Sequence, residues 1–407
     1  MNEYEVVGKG RTVLPLGQFA FYTLAPMVAL YVLATIPIHI LGTRIKQLVS
    51  FPLMVCLVVI PYLYRDENDG NMFCVLCQAL PFSAFQRLSD IFWIHPFLYK
   101  KDAYLSPSDL STELWACIRR DKKIKENKEK KITAKDKKFY HLFPSIILNA
   151  LIHDICISYL KTFTSKDALN IQKYHPWQAF TFFSFGITFM TVLFNMSGSI
   201  LQLIHCIVVG HGFYASDEWR NMMNYPFLSI SLEDLWSHRW HRIFRAAWVT
   251  SAFKPVYYSI RQMTQKSPKF KHLAIGLANL AVFVASGVTH EYIVLCNAGW
   301  ILYTEKYMGQ EMSFFVLHGI LVVVEKTIGH FLEPMFPKSI VKSPIASFAK
   351  HFYVIYISFI TFPWFFNSFA PWGLFKLQSI TPLGPIIDKF LAATPYLRQY
   401  CGSLLEL

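Results

Sequence analysis

Long apolar runs recur along the chain and predict helices that cross a membrane. A spanning helix needs about 20 consecutive, mostly apolar residues. Runs of this kind occupy residues 17–41, 48–64, 139–160, 176–195, 197–213, 272–296, 300–332 and 351–369. Together with a short helix expected after residue 380, they predict an all-α polytopic membrane protein with about eight to ten transmembrane helices.

Two segments depart from this pattern. Residues 72–99 are apolar but are interrupted by prolines and charged side chains, which predicts a broken span or an interfacial segment. Residues 119–138 hold eleven Lys or Arg against four Asp or Glu, as expected of a solvated cytosolic loop within reach of anionic lipid heads. The expected division of the chain is N-terminal membrane helices (1–118), a basic cytosolic loop (119–138) and a membrane core (139–407).

The composition agrees with a membrane protein and narrows its partners. Of 407 residues, 54% are hydrophobic and only 16% are charged, against about 25% charged in an average protein. The net charge of +13 comes without a nucleic-acid motif, so we attribute it to basic cytosolic loops and expect no nucleic-acid partner. The lone C-x-x-C of Cys74 and Cys77 lacks the second pair of ligands typical of a zinc site, so no metal is expected.

The most polar part of the membrane core is residues 225–245, YPFLSISLEDLWSHRWHRIFR. Ser231, with an acid three residues later, resembles the start of a helix with a capping box and predicts a polar helix over 231–247. Residues three or four apart share a helix face. That face would carry Asp234, His238, His241 and Arg245. Such a helix either lies at the membrane interface or lines a cavity between spans.

A histidine also interrupts the apolar run 272–296. His290 and Glu291 follow a Ser286-Gly287 pair, whose small side chains allow close helix approach. Ionisable groups at membrane depth by default indicate a functional site, although a lone histidine also serves as a hydrogen-bond partner of a neighbouring helix. A buried imidazole stays neutral and can act as a general base. Such a base takes the proton of an alcohol, whose oxygen then attacks a thioester carbonyl.

Motifs of several soluble enzyme classes are absent from the sequence. It contains no G-x-S-x-G nucleophile elbow and no Walker A or G-x-G-x-x-G motif in a plausible context. His290-Glu291 is not followed by the histidine that would complete the zincin motif H-E-x-x-H. Two non-enzymatic alternatives remain: a transporter that relays protons through midplane His and Glu residues, and a lipid-binding membrane scaffold.

Three blocks of the sequence resemble the wax-synthase branch of the membrane-bound O-acyltransferase (MBOAT) family. SLEDLWSHRWHRIFR (231–245) resembles the family signature S-L-x-D-F-W-x-R-R-W-[NH]. SGVTHE (286–291) resembles S-G-x-x-H-E, and FFVLHGILVVVEK (314–326) resembles F-F-x-x-H-G followed by an acid. The blocks stand in the family's order, and the resemblance extends over residues 140–335.

The resemblance implies an MBOAT fold around an intramembrane tunnel and assigns roles to particular residues. His290 matches the catalytic base, and His241 matches the position that orients the substrate or polarises the carbonyl. His238 replaces a signature Arg, which leaves His238 and His241 as competing candidates for the active-site face. The residues expected to shape the tunnel or contact substrate are Asp234, Trp236, His238, Arg239, Trp240, Glu291 and His318. For His318, a hydrogen bond to a neighbouring helix is the alternative.

The resemblance also implies the reaction: an acyl-CoA-dependent O-acyltransferase that esterifies a long-chain alcohol, sterol, terpenoid or diacylglycerol. Acyl-CoA would arrive from the cytosol as co-substrate and the hydrophobic alcohol from the bilayer, with no bound cofactor. An alternative in the same branch is an acetyltransferase of secondary-metabolite hydroxyls. Residues 17–41 exceed the apolar region of a signal peptide, so we expect a retained first helix, and the resemblance suggests the endoplasmic reticulum.

Overall fold

The structure, a computed structural model, describes residues 11–66, 72–120, 136–341, 343–372, 378–398 and 400–403. This part of the chain is predominantly helical. Seven of its helices are long and apolar enough to cross a bilayer. The predicted all-α polytopic membrane fold is therefore confirmed, and the described residues contain seven candidate spans where about eight to ten were expected.

The helices and strands are numbered in chain order. The α-helices are α1 Leu16–Thr35, α2 Thr43–Leu63, α3 Met72–Ser89, α4 His95–Leu98, α5 Pro107–Trp115, α6 Phe143–Leu160, α7 Ser165–Tyr174, α8 Pro176–Val208, α9 Leu232–Asp234, α10 Arg245–Trp248, α11 Lys254–Met263, α12 Lys271–Leu302, α13 Gln310–Leu332, α14 Lys338–Val341, α15 Pro344–Asn367, α16 Leu383–Ala393 and α17 Pro395–Arg398. Short π-helical turns occupy Asp90–Ile94, Leu235–Arg239, Val249–Phe253 and Tyr303–Tyr307. The strands are β1 Thr12–Leu14, parallel to β2 Tyr64–Asp66, and β3 Asp136–Lys138, antiparallel to β4 Phe213–Ala215.

The chain folds as two compact units. The first unit comprises Met1–Ser111, Phe244–Val341 and Thr361–Leu374, and the second comprises Thr112–Ile243, Lys342–Ile360 and Phe375–Leu407. The division expected from the sequence stays a prediction. Residues 121–135 of the expected basic loop lie outside the described residues.

In the first unit, α1, α2 and α3 pack around an apolar core. The buried side chains of this core include Leu30, Leu57, Leu88 and Phe92. Lys46 of α2 is also fully buried, and its ammonium group donates to the carbonyls of Ala34 at 3.3 Å and Ala103 at 2.9 Å. The ammonium group of Lys46 therefore bonds the Ala34 carbonyl in the last turn of α1, which has no partner within the helix.

Helices α12 and α13, also in the first unit, pack through glycines. A β-carbon at Gly287 would lie 3.0 Å from the sulfur and 3.2 Å from the Cα of Met312. A β-carbon at Gly319 would lie 2.9 Å from a side-chain carbon of Leu280. Both distances are shorter than ordinary van der Waals contact, so the close helix approach predicted at Gly287 is present.

In the second unit, α6 packs along α8 and buries the polar pair His153-Asp154. The carboxylate of Asp154 accepts the backbone N–H groups of Ile380 at 2.9 Å and Thr381 at 2.7 Å. The Nδ1 atom of His153 lies 3.0 Å from the same carboxylate. Asp154 thus fixes the chain that leads into α16, which is a structural role.

The two spans predicted over 176–195 and 197–213 are wrong, because one 33-residue helix, α8, replaces them. The polar residues between them make packing contacts rather than a turn. Asn195 is buried and its Oδ1 accepts the backbone N–H of Met223 at 2.9 Å. A β-carbon at Gly198 would lie 3.3 Å from a neighbouring side chain. The fused helix accounts for one of the missing spans.

Residues 72–99 are helical along nearly their whole length, as α3, a π-helical turn and α4. They are not among the seven candidate spans. The polar side chains that interrupt their apolar pattern pair with each other: Arg87 lies 2.5 Å from the carboxylate of Asp90, and both residues are buried. Buried charges of opposite sign that bond each other are tolerated where isolated ones are not.

Candidate active site

His290 lies within α12 and is buried, with 8% of its surface exposed. It lies three residues after Gly287, where α13 approaches α12 closely at Met312. Small side chains on α12 therefore bring a second helix against the histidine, and protein encloses the ring.

One hydrogen bond fixes the tautomer of His290. Its Nδ1 atom lies 2.8 Å from the backbone carbonyl oxygen of Ser286. A carbonyl oxygen only accepts, so Nδ1 carries the proton. Nε2 then holds a lone pair, and burial disfavours the charged form of the ring. The arrangement gives an imidazole that can accept a proton at Nε2.

Three aromatic rings surround this imidazole. Their centroids lie at 4.5 Å for Phe315 of α13, 5.3 Å for Phe365 of α15 and 6.5 Å for Trp248 of α10. The Phe315 ring is tilted by 31° from the imidazole plane. Aromatic faces exclude water and attract a cation by about 0.5–2 kcal/mol. The enclosure therefore favours a dry site that tolerates a transient imidazolium.

Thr289, the residue before the histidine, joins three helices. The indole Nε1 of Trp248 donates to the Thr289 hydroxyl oxygen at 3.1 Å. That hydroxyl donates to the carbonyl of Ala285 at 2.8 Å and lies 3.3 Å from Oε1 of Gln86 in α3. These contacts fix the rotation of α12 about its axis and thereby the direction of the imidazole.

The carboxylate of Glu291 is directed at the start of α13. One oxygen accepts the backbone N–H of Met312 at 2.9 Å. The other accepts the hydroxyl of Tyr303 at 2.7 Å and the N–H of Gly309 at 3.2 Å. A carboxylate is stabilised at a helix N-terminus by the unpaired N–H groups and the helix dipole. Glu291 thus fastens α13 to α12 beside the imidazole.

His318 is fully buried in α13. Its Nε2 lies 2.9 Å from the hydroxyl oxygen of Thr361, and its ring lies 4.5 Å from that of Phe314. Of the two alternatives stated for His318, this contact favours the hydrogen bond to a neighbouring helix. A second buried carboxyl group of α13, that of Glu311, accepts the hydroxyl of Ser368.

The single polar helix predicted over 231–247 is wrong. Its start is as predicted, since Ser231 caps α9 by accepting the N–H of Asp234 at 2.8 Å. A π-helical turn follows, and the chain then becomes extended at Trp240, with ψ of 159°. Trp240 is buried, and its ring lies 5.3 Å from that of Trp236. The chain thus leaves the helical path at the buried Trp240, so the predicted common polar face is lost.

Asp234 and Arg239, both predicted tunnel residues, bind each other. The Nε atom of Arg239 donates to the Asp234 carboxylate at 2.6 Å. Arg239 also donates to the carbonyls of Asn224 at 3.3 Å and Tyr225 at 3.4 Å. The N–H of Asn224 in turn donates to the Arg239 carbonyl at 2.8 Å. The pair therefore closes the loop before α9, where Tyr225 has a positive φ of 45°.

His238 and His241 differ in exposure. The side chain of His238 is 63% exposed. His241 is half-buried, and its ring lies 5.0 Å from Phe194 of α8 and 6.0 Å from Trp240. His241 is therefore the more enclosed of the two candidates. It belongs to the second unit, whereas His290 belongs to the first.

Several residues around His290 and Glu291 carry no signal in the sequence. Trp248, Phe315 and Phe365 enclose the imidazole, Tyr303 binds Glu291, and Thr289 binds Trp248. The chain contains 36 Phe and 21 Tyr, and neither residue type nor spacing separates these few from the others. Within the described residues, no group of three His, Cys, Asp or Glu side chains is arranged to hold a metal ion.

Comparisons with known proteins match the part of the chain that carries the polar stretch 225–245 and His290. Residues 219–317 match the Membrane bound O-acyl transferase family. Over 202 residues the chain is 26% identical to probable long-chain-alcohol O-fatty-acyltransferase 6 of Arabidopsis thaliana, which covers 49% of this chain and 52% of that protein. Over 106 residues it is 29% identical to probable long-chain-alcohol O-fatty-acyltransferase 11 of the same plant, covering 26% and 22% respectively. The chain thus spans about half of the first relative's length and less of the second's.

The family match agrees with the rest of the molecule. It includes the polar stretch with its capped start and the buried His290-Glu291 pair. The seven candidate spans agree with a polytopic membrane protein. Over residues 219–317 the chain is therefore similar to the membrane-bound O-acyltransferase family.

Proposed function

We propose that the protein is an acyl-CoA-dependent O-acyltransferase that esterifies a lipophilic alcohol, with His290 as general base. The observation that carries the proposal is the bond from Nδ1 of His290 to the Ser286 carbonyl, which leaves the Nε2 lone pair inside an aromatic enclosure. The match of residues 219–317 to the membrane-bound O-acyltransferase family supports acyl transfer. The names of the relatives support a long-chain alcohol as acceptor and a fatty acyl group as the group transferred.

The reaction needs one proton acceptor that later returns the proton. Nε2 of His290 takes the alcohol proton as the alcohol oxygen bonds to the thioester carbonyl carbon. The tetrahedral intermediate then collapses, the carbon–sulfur bond breaks, and the imidazolium protonates the departing CoA thiolate. The products are the ester and CoA, and His290 is again neutral. General base catalysis of this kind contributes roughly 10²–10⁴-fold to a rate.

One group beside His290 stabilises the charged state of the ring during this cycle, because the face of Phe315 attracts the imidazolium. The family resemblance assigns to His241 the position that orients the substrate or polarises the carbonyl, and we propose that His241 serves as a hydrogen-bond donor.

A dry enclosure also protects the thioester from hydrolysis. Water is a competing acceptor, and its exclusion prevents hydrolysis of the acyl donor. The rings of Phe315, Phe365 and Trp248 provide that exclusion around the base. We further propose that the protein resides in the endoplasmic reticulum, with acyl-CoA arriving from the cytosol and the alcohol from the bilayer.

The test is an assay on membranes that contain the full-length protein. Radiolabelled acyl-CoA of several chain lengths, including acetyl-CoA, is combined with long-chain alcohols, sterols, terpenoid alcohols and diacylglycerol. We expect a labelled long-chain ester to form with a fatty acyl donor and a long-chain alcohol. Product from acetyl-CoA alone would replace the fatty acyl donor by acetyl-CoA and favour the acetyltransferase alternative. No ester from folded protein with any pair would refute the transferase.

A further inference from the structure

The stretch from Lys254 to His272 is basic and contains no acid. Its sequence, KPVYYSIRQMTQKSPKFKH, holds five Lys or Arg and no Asp or Glu. It comprises α11, a turn, a short 3-10 helix and the first residues of α12. Its four lysines, Lys254, Lys266, Lys269 and Lys271, are exposed.

The stretch leads directly into a membrane-crossing helix. The candidate span Pro268–Tyr307 begins within it, so Lys266, Lys269 and Lys271 lie where that span enters the membrane surface. Exposed apolar side chains stand among them: Met263 is 82% exposed, Phe270 45% and Leu273 53%. Lysines interleaved with exposed apolar side chains are typical of segments that lie in the headgroup layer and insert their apolar groups about 5–10 Å.

The turn after α11 has a fixed shape. The guanidinium of Arg261 donates to the carbonyls of Lys266 and Ser267, and the N–H of Lys266 donates back to the Arg261 carbonyl at 2.7 Å. Gln265 and Lys266 both have positive φ, of 50° and 58°. Arg261 is thus bound to its own turn, which holds the lysine-bearing backbone in one conformation.

We propose that the basic surface formed by Lys266, Lys269 and Lys271 binds the headgroups of anionic phospholipids at the cytosolic face of the membrane. The cytosolic leaflet carries the anionic lipids, and cytosolic segments carry the excess of Lys and Arg. Lysine ammonium groups on flexible stems suit a fluid layer of phosphates. The proposal does not depend on acyltransferase activity.

The test measures lipid selection by the full-length protein. The protein is reconstituted in phosphatidylcholine bilayers that contain a minority of phosphatidylserine, and electron spin resonance of spin-labelled lipids reports which species the protein immobilises. We expect wild type to immobilise phosphatidylserine in preference to phosphatidylcholine by roughly fivefold. Even one lysine at the membrane surface can supply a ratio of this size. The triple variant Lys266→Gln, Lys269→Gln, Lys271→Gln should bring the ratio close to one, as should high salt.

A matched control removes the same charge elsewhere. Lys137, Lys166 and Lys389 are exposed lysines of the second unit, and their triple substitution by Gln should leave most of the preference. Equal loss in both triple variants would show a response to net charge and overturn the proposal. Displacement of spin-labelled phosphatidylserine by inorganic phosphate or free CoA would also overturn it, by identifying a site for soluble anions.

Discussion

Glu291 gives a sharp prediction, because its carboxylate has three donors in defined positions. Substitution by Ala leaves the Tyr303 hydroxyl and the N–H groups of Gly309 and Met312 without their acceptor. An unsatisfied donor costs about 1–3 kcal/mol. The three donors are partly buried, so the lower figure applies to each. We expect Glu291→Ala to lower the free energy of unfolding by about 3 kcal/mol.

Glu291→Gln should cost less for a geometric reason. The amide oxygen can occupy the position that accepts from Tyr303 and Gly309, whereas the amide nitrogen then faces the N–H of Met312. One hydrogen bond and the charge at the start of α13 are lost, so we expect a decrease of about 1–2 kcal/mol. The control is Glu305→Gln, since Glu305 is exposed in the π-helical turn that also carries Tyr303. It should change stability by less than about 0.5 kcal/mol.

The assay is denaturant-induced unfolding of purified protein in mixed micelles, followed by turnover of the folded fraction. We expect the free energy of unfolding to be lowest for Glu291→Ala, higher for Glu291→Gln and highest for Glu305→Gln. Equal stability of Glu291→Ala and Glu305→Gln would refute the fastening role. A fully stable Glu291→Gln without any turnover would also refute it, because the carboxylate would then act in the chemistry itself.

Three further predictions concern other parts of the molecule. Gly287→Ala should destabilise the protein by about 1–3 kcal/mol, since the new β-carbon would lie 3.0 Å from the sulfur of Met312; Gly276→Ala in the same helix, with its nearest atom at 3.9 Å, should be neutral in thermal unfolding. His241→Asn, which keeps a donor, should retain turnover within roughly tenfold, whereas loss of an oxyanion donor costs about 10²–10³-fold. Burial alone would raise the pKa of Asp167, but the hydrogen bonds that its carboxylate accepts from Thr164 and Ser403 lower the pKa below its usual value. Its stabilising contribution should therefore be present at neutral pH and disappear as pH falls below about 4, and Asp167→Asn should remove this pH dependence from the unfolding curve.

The candidate spans follow from the sequence because the requirement for crossing a membrane is local. A helix within about 20 apolar residues satisfies its own backbone hydrogen bonds, so composition alone predicts α1, α2 and α6. The error over α8 has a tertiary cause. Asn195 and Gly198 resemble a turn in sequence, and only the packing of another segment against them shows that the helix continues.

The site shows the same division. His290 is predictable because an ionisable residue in an apolar run is costly wherever that run folds. Phe315 and Phe365 are not predictable, because an aromatic residue in a spanning helix faces lipid as often as protein. The predicted polar face of 231–247 fails at Trp240. The backbone is extended there and the indole is buried, so the residues on either side no longer share a helix face.

The most direct measurement compares two buried histidines of the first unit. Full-length wild type, His290→Ala and His318→Ala are assayed for ester formation from labelled acyl-CoA and a long-chain alcohol, with turnover expressed per folded protein. We expect His290→Ala to lose at least about 10²-fold of the rate, and His318→Ala to lose stability while its folded fraction retains turnover. Near-normal turnover of His290→Ala would contradict the assignment of His290 as the general base.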